Sequence, residues 1–169
     1  MPSLFRCVNN ISSRLVAIFT MLFCGYLLIF AFVLEYFVEL TPCPLCIAQR
    51  IFFFLIGLTA AAFLVFPKTF TEKIVALKIT SFTLLGGAIA LRQVWMQWYP
   101  GTIDPTRCGV SFGSFIDQFL LALGGTGDCA KVDWTFLTLS IAEWSFLSFV
   151  LLLLVSGWFI RRAFFQSRV

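Results

Sequence analysis

Apolar residues in this chain fall into four long runs, separated by short polar breaks and one long one. Leu15 to Leu34 is twenty residues without a charge. At roughly 1.5 Å per helical residue, that run matches the ~30 Å hydrocarbon core of a bilayer. Ile47 to Phe66 is apolar except for Gln49, Arg50 and Thr59, and Pro67 closes it. The third run has a short uncharged centre, Ile79 to Leu91, and reaches spanning length when Lys78 and Arg92 snorkel to the interfaces. Ile141 to Ile160 is the fourth, closed by Arg161 and Arg162. The pattern predicts spanning helices over about 15–34, 47–66, 75–95 and 141–160, joined by loops over 35–46 and 96–140. The first run exceeds the ~7–15 apolar residues of a signal peptide. It ends in Glu35-Tyr36-Phe37-Val38-Glu39, without a small-residue cleavage site, so it is predicted to be an uncleaved span. The expected fold class is an all-α integral membrane protein, a four-transmembrane-helix bundle forming one domain over residues 1–169.

Composition agrees. Hydrophobic residues make up 60% of the chain and charged residues 12%, about half the share of a soluble domain. The net charge of +4 raises the question of an anionic partner. Its distribution answers as topology, with no nucleic-acid patch. Eight of the twelve basic residues (Arg6, Arg14, Lys68, Lys73, Lys78, Arg161, Arg162 and Arg168) fall on the side of the termini, and seven of the eight acids fall opposite. The positive-inside rule then places both termini in the cytoplasm and both loops outside. Within the long loop, Phe112, Phe115, Ile116, Phe119, Leu120 and Leu123 have helical spacing. That segment fits a short helix lying flat on the membrane, and fits equally a loop packed over the bundle. Trp95, Trp98 and Tyr99 read as an interfacial aromatic belt.

With no histidine in the chain, chemistry rests on other side chains or a bound cofactor. Six cysteines are present. Cys24 lies mid-span and reads as a small packing residue; Cys7 lies in the cytoplasmic tail, where thiols stay reduced. The other four fall in the outward loops, Cys43 and Cys46 in one, Cys108 and Cys129 in the other. An oxidising periplasm lets disulfides persist there. Four cysteines allow three pairings, of which Cys43 with Cys46 and Cys108 with Cys129 is the simplest. A Cys108–Cys129 bridge suits a structural staple, closing a long loop. A Cys43–Cys46 ring is too small to remove much loop entropy. Instead, Cys-x-x-Cys at a helix start favours a reactive thiolate. Pro42 and Pro44 suit the helix entry, Cys46 falls near the positive end of the helix dipole, and Arg50 follows four residues later on the same face. A guanidinium just inside an apolar span marks a functional site, snorkelling being the plainer reading. A four-thiolate zinc site is disfavoured by the wide spacing of the second pair and the oxidising compartment, so no metal is expected. The missing histidine after Cys-x-x-Cys excludes a covalent c-type haem. Thiols on the two loops can exchange through mixed disulfides, and a membrane quinone is the available two-electron acceptor.

These residues resemble the DsbB family, bacterial quinone-dependent proteins that reoxidise the periplasmic thiol oxidase DsbA. The likeness runs through Pro42-Cys43-Pro44-Leu45-Cys46-Ile47 with Arg50 and Arg92-Gln93-Val94-Trp95-Met96-Gln97. It continues through Cys108, Gly127-Asp128-Cys129-Ala130, Trp134-Thr135-Phe136-Leu137 and Ile141-Ala142-Glu143-Trp144. It implies a four-helix bundle in the bacterial inner membrane, ubiquinone or menaquinone as acceptor, and Cys46 as the quinone-contacting thiol. Arg50 is implied as a quinone-site residue and Cys108 as the one that forms the mixed disulfide with a DsbA-like partner. Some family members carry a histidine near the position of Gln93; here a hydrogen bond to the ring must come from Arg50, Gln93, Arg92 or backbone. Vitamin K epoxide reductase also pairs a four-helix bundle with Cys-x-x-Cys near quinone. There the pair opens the last span, whereas here it opens the second. A non-enzymatic membrane scaffold with structural disulfides is the remaining alternative.

Overall fold

A computed structural model describes residues 13–40, 42–66, 72–99, 130–132 and 134–166. Cys108, Cys129 and the proposed surface helix over 112–123 lie outside the described residues. Four helices carry the fold: α1 (Ser13–Phe37), α2 (Pro44–Val65), α3 (Glu72–Trp98) and α4 (Ile141–Arg161). Each is long and apolar enough to cross a membrane. The chain is an all-α four-span bundle, as its hydropathy pattern predicts.

The helix ends follow local chemistry. At α2, Cys43 is the N-cap and Pro44 the first helical residue, where a missing N–H costs nothing. At α4, Ser140 and Glu143 form a reciprocal capping box that satisfies two otherwise unpaired N–H groups. The last turn of α4 loosens into a π-helical segment, Arg162–Gln166. Helix α3 runs further than its uncharged centre, from Glu72 to Trp98, so Lys73, Lys78 and Arg92 lie within the helix. The connection between α1 and α2 is correspondingly shorter than the apolar runs suggest, spanning only 38–43.

Neighbouring helices pack in chain order, α1 on α2, α2 on α3 and α3 on α4, while α1 meets α4 over a small area. The main core lies where Phe53, Ile56, Val75, Ile79, Phe149 and Leu152 are buried together. Cys24 is buried in this core, where Cys24 Cβ would stand 3.2 Å from a Cβ on Gly57. Glycine there lets α1 approach α2 closely. A second, smaller cluster of Leu45, Ala48, Ile89 and Met96 sits beneath the start of α2. It fixes the Cys43–Cys46 turn onto α3. Just before α4 the chain forms a minimal hairpin, β1 (Thr135–Phe136) and β2 (Leu139–Ser140), antiparallel with Phe136 opposite Leu139.

Candidate functional site

The site begins at the first turn of α2. The cap places the Cys46 backbone N–H 3.4 Å from Cys43 Sγ, so the first cysteine accepts the bond that a Ser or Asp usually takes. The two sulfurs stand 3.0 Å apart, Cys43 donating to Cys46, whereas a disulfide bond is about 2.05 Å. This is the dithiol state of the pair.

Helix α3 supplies the facing wall. Gln93 Nε2 donates to Cys46 Sγ at 3.2 Å and to Cys43 Sγ at 3.5 Å. Gln49, one turn along α2 from Cys46, donates its own Nε2 to Gln93 Oε1 at 2.7 Å. Both glutamines are 4% exposed. Buried amides must find partners, and these find each other and the sulfurs.

Arg50 is partnered from α1. Its Nη1 pairs with the Glu35 carboxylate, its Nη2 donates to the Ala31 carbonyl at 3.2 Å, and its guanidinium lies over the Phe32 ring at 5.4 Å. A charge at this depth needs a counter-charge, and Glu35 provides it from the last turns of the first span.

These groups border a cavity of about 650 Å³ at the cysteine end of the bundle. Its walls come from all four helices and the hairpin. They are mainly apolar, with Phe23, Leu27 and Phe30 from α1 facing Leu147 and Leu151 from α4. Cys43, Cys46, Gln49, Arg50 and Gln93 line one side, and Glu35 and Lys131 also reach the wall. It fills the gap left where α1 and α4 part. The hairpin side is braced by Trp144 Nε1 donating to the Phe136 carbonyl at 3.0 Å and by Ser140 Oγ donating to Gln97 Oε1 at 2.7 Å.

Of the residues singled out from sequence, Cys43, Cys46, Arg50 and Gln93 come together on this cavity. Arg92 does not line it: one residue before Gln93 on α3, it faces another way. Two further participants escaped the sequence reading. Gln49 carries a signal, a polar residue one turn after Cys46 in an apolar run. Glu35 carries a weaker one, an acid at the end of the first span at the same depth as Arg50. Trp95, Trp98 and Tyr99 are half exposed or more at this end of α3, and Trp98 Nε1 donates to Glu143 Oε1 at 3.0 Å.

The fold and site define a class: a multi-pass membrane protein with a Cys-x-x-Cys dithiol set in the wall of an apolar cavity. The sequence profile of the family described as disulfide bond formation protein DsbB matches residues 13–159. A "Disulfide bond formation protein B" of Nitrosospira multiformis is 38% identical over 157 residues, covering 88% of this chain and 90% of that protein. One from Azoarcus sp. is 37% identical over 143 residues, covering 80% and 85%. "Disulfide bond formation protein B 1" of Pseudomonas aeruginosa is 44% identical over 128 residues, covering 71% and 77%. The chain belongs to the DsbB family of disulfide bond formation proteins.

Proposed function

We propose that the chain is a quinone-dependent protein-thiol oxidoreductase that reoxidises a DsbA-like periplasmic thiol oxidase. In this reading it sits in the bacterial inner membrane with both termini cytoplasmic and both cysteine loops periplasmic. The observation that carries the proposal is the Cys43–Cys46 dithiol in the wall of an apolar cavity that also contains Arg50.

Two thiol–disulfide exchanges and one oxidation make up the reaction. A thiolate of the partner attacks the Cys108–Cys129 disulfide and forms a mixed disulfide at Cys108. The partner's second thiol displaces Cys108, leaving the partner oxidised and Cys108 and Cys129 as thiols. These in turn reduce the Cys43–Cys46 disulfide, again by thiolate attack and displacement. Re-closing the Cys43–Cys46 bond releases two electrons and two protons. A ubiquinone or menaquinone held at the cavity would supply the acceptor for both pairs.

The residues present suit such a ring. A cavity of about 650 Å³ lies within the usual range of small-molecule sites and is largely apolar, as a lipid-soluble ring requires. Cys46 and Arg50 would hold the ring, the guanidinium facing a ring oxygen that gains negative charge. Gln93 donates to both sulfurs and so holds negative charge on them while they react.

Purified protein supplied with a ubiquinone analogue is expected to oxidise a dithiol thioredoxin-fold partner, with Cys46→Ser reducing turnover to background. Full turnover in Cys46→Ser would rule the scheme out.

A further inference from the structure

We propose that Gln49 is a positioning residue for the dithiol: it fixes the orientation of the Gln93 side-chain amide so that its N–H edge faces Cys46 and Cys43. The inference rests on reading Cys43 and Cys46 as the redox pair and assigns a task to a residue that reading does not use.

A glutamine amide has two edges of nearly equal shape, a donor and an acceptor, exchanged by a half-turn. Which edge meets the sulfurs is therefore set by what the other edge meets. Gln49 Nε2 approaches Gln93 Oε1 at 2.7 Å, across the buried α2–α3 seam. Turning the Gln93 amide over would oppose two N–H groups at Gln49. It would also take from Cys46 the N–H that now stands at 3.2 Å and put in its place the carbonyl oxygen, which at present only accepts a long contact from the Cys46 thiol at 3.7 Å. Turning Gln93 alone breaks its bond to Gln49 and its close N–H contact with the sulfur, so the bond from Gln49 couples the two amides and Gln93 turns only if Gln49 turns with it. Water is poorly placed to substitute, because both amides are 4% exposed. Their backbones are held in register by Leu45 and Met96, which are fully buried beside them.

The lock favours one redox state. A thiol or thiolate sulfur is a better acceptor than a disulfide sulfur, most of all when charged. Two N–H···S contacts from Gln93 therefore hold the reduced pair. The charged groups on the wall are Arg50 from α2, Glu35 from α1 and Lys131 ahead of the hairpin. The amides themselves carry no charge, so their contribution is one of direction.

The test is the equilibrium in which the Cys43–Cys46 disulfide and two glutathione thiols give the dithiol and glutathione disulfide. It is read on the full-length protein in detergent by differential alkylation and peptide mass mapping, which reports this pair separately from the other cysteines. Gln49→Leu and Gln93→Leu are each expected to shift the equilibrium toward disulfide by about five- to tenfold, the worth of one hydrogen bond. The double variant is expected to match Gln93→Leu alone, since Gln49 acts only through Gln93. Gln49→Met keeps the length of the side chain but offers no N–H and no charge. It is expected to shift the equilibrium the same way and covers the case in which Gln49→Leu does not fold. A wild-type equilibrium in Gln49→Met or Gln49→Leu, or a double variant whose shift is the product of the two single shifts, would overturn the proposal. No quinone takes part in the measurement. A protein inert toward quinone would therefore sink the proposed function, whereas an unchanged equilibrium in a quinone-active protein would sink this inference alone.

Discussion

The Arg50 guanidinium has a second task that its sequence position does not reveal. Four residues after Cys46 on the same helix, it reads as a charge placed for the thiol; in the structure its three contacts, Glu35, Ala31 and Phe32, all lie on α1. It both lines the cavity and fastens α1 to α2. Cys43, Cys46 and Gln93 were legible as chemistry-bearing types near one membrane face. Glu35 and Gln49 were not, because pairing across helices depends on how each helix is rotated about its axis. A single sequence gives the phase of the apolar stripe, and in a bundle bathed in lipid that stripe is nearly all round. The ion pair makes a prediction. Removing one partner leaves a charge unpaired in an apolar wall, while removing both leaves none. The side chains are 20% and 35% exposed, so solvent screening keeps the effect to about 1–2 kcal/mol. Glu35→Leu is expected to lower the thermal unfolding midpoint in detergent, and adding Arg50→Met to restore most of it. A double variant less stable than either single one would show that the pair is a favourable bond in its own right.

At the scale of elements, hydropathy revealed the four helices because each apolar run is long enough to outweigh local propensity. It missed the hairpin before α4. Strands of two residues leave no alternation to detect, and the turn Leu137-Thr138 lacks the Asn-Gly signature of a two-residue turn. Yet both residues take positive φ, 50° and 70°, as such a turn demands. A β-branched threonine pays for that conformation in steric crowding against its own backbone. The strain is tolerated because the flanking residues are tied down: Trp144 holds the Phe136 carbonyl, and Ser140 caps α4. Thr138→Gly is therefore expected to stabilise the fold by about 1 kcal/mol, less whatever glycine loses in the unfolded chain. The check is an upward shift of the unfolding midpoint with the Cys43–Cys46 redox equilibrium unchanged. Thr138 Oγ1 donates to the Leu137 carbonyl, and a downward shift would mean that this bond is worth more than the strain.

Across the whole molecule, the cavity exists because the bundle is joined unevenly. The four-helix class was legible in the sequence, but the helix order and the gap between α1 and α4 come from where small residues admit large ones. Gly86 of α3 is such a place. Phe149 of α4 enters there and stacks on Phe53 of α2, ring centroids 4.2 Å apart and 9° from parallel. Three helices thus meet at one glycine, while α1 meets α4 over only a small area and leaves space beside the dithiol. A Cβ on Gly86 would lie 2.4 Å from Phe149 Cε1 and 3.0 Å from Phe52 Cβ. The ring would have to leave its stack, and Phe149, 1% exposed, has no free volume to enter. Overpacking of this kind costs about 1–3 kcal/mol, offsetting the ~1 kcal/mol that alanine gains over glycine within a helix. The adjacent glycine gives the control. A Cβ on Gly87 would meet Phe149 Cβ at 3.5 Å, an ordinary contact, so only the helix-propensity gain remains. Gly86→Ala is expected to lower the unfolding midpoint and Gly87→Ala to raise it, although the two changes add the same methyl to neighbouring residues. If the two variants moved the midpoint in the same direction, the joint between α2, α3 and α4 would not be the Phe149 insertion, and the origin of the cavity would have to be sought elsewhere in the bundle.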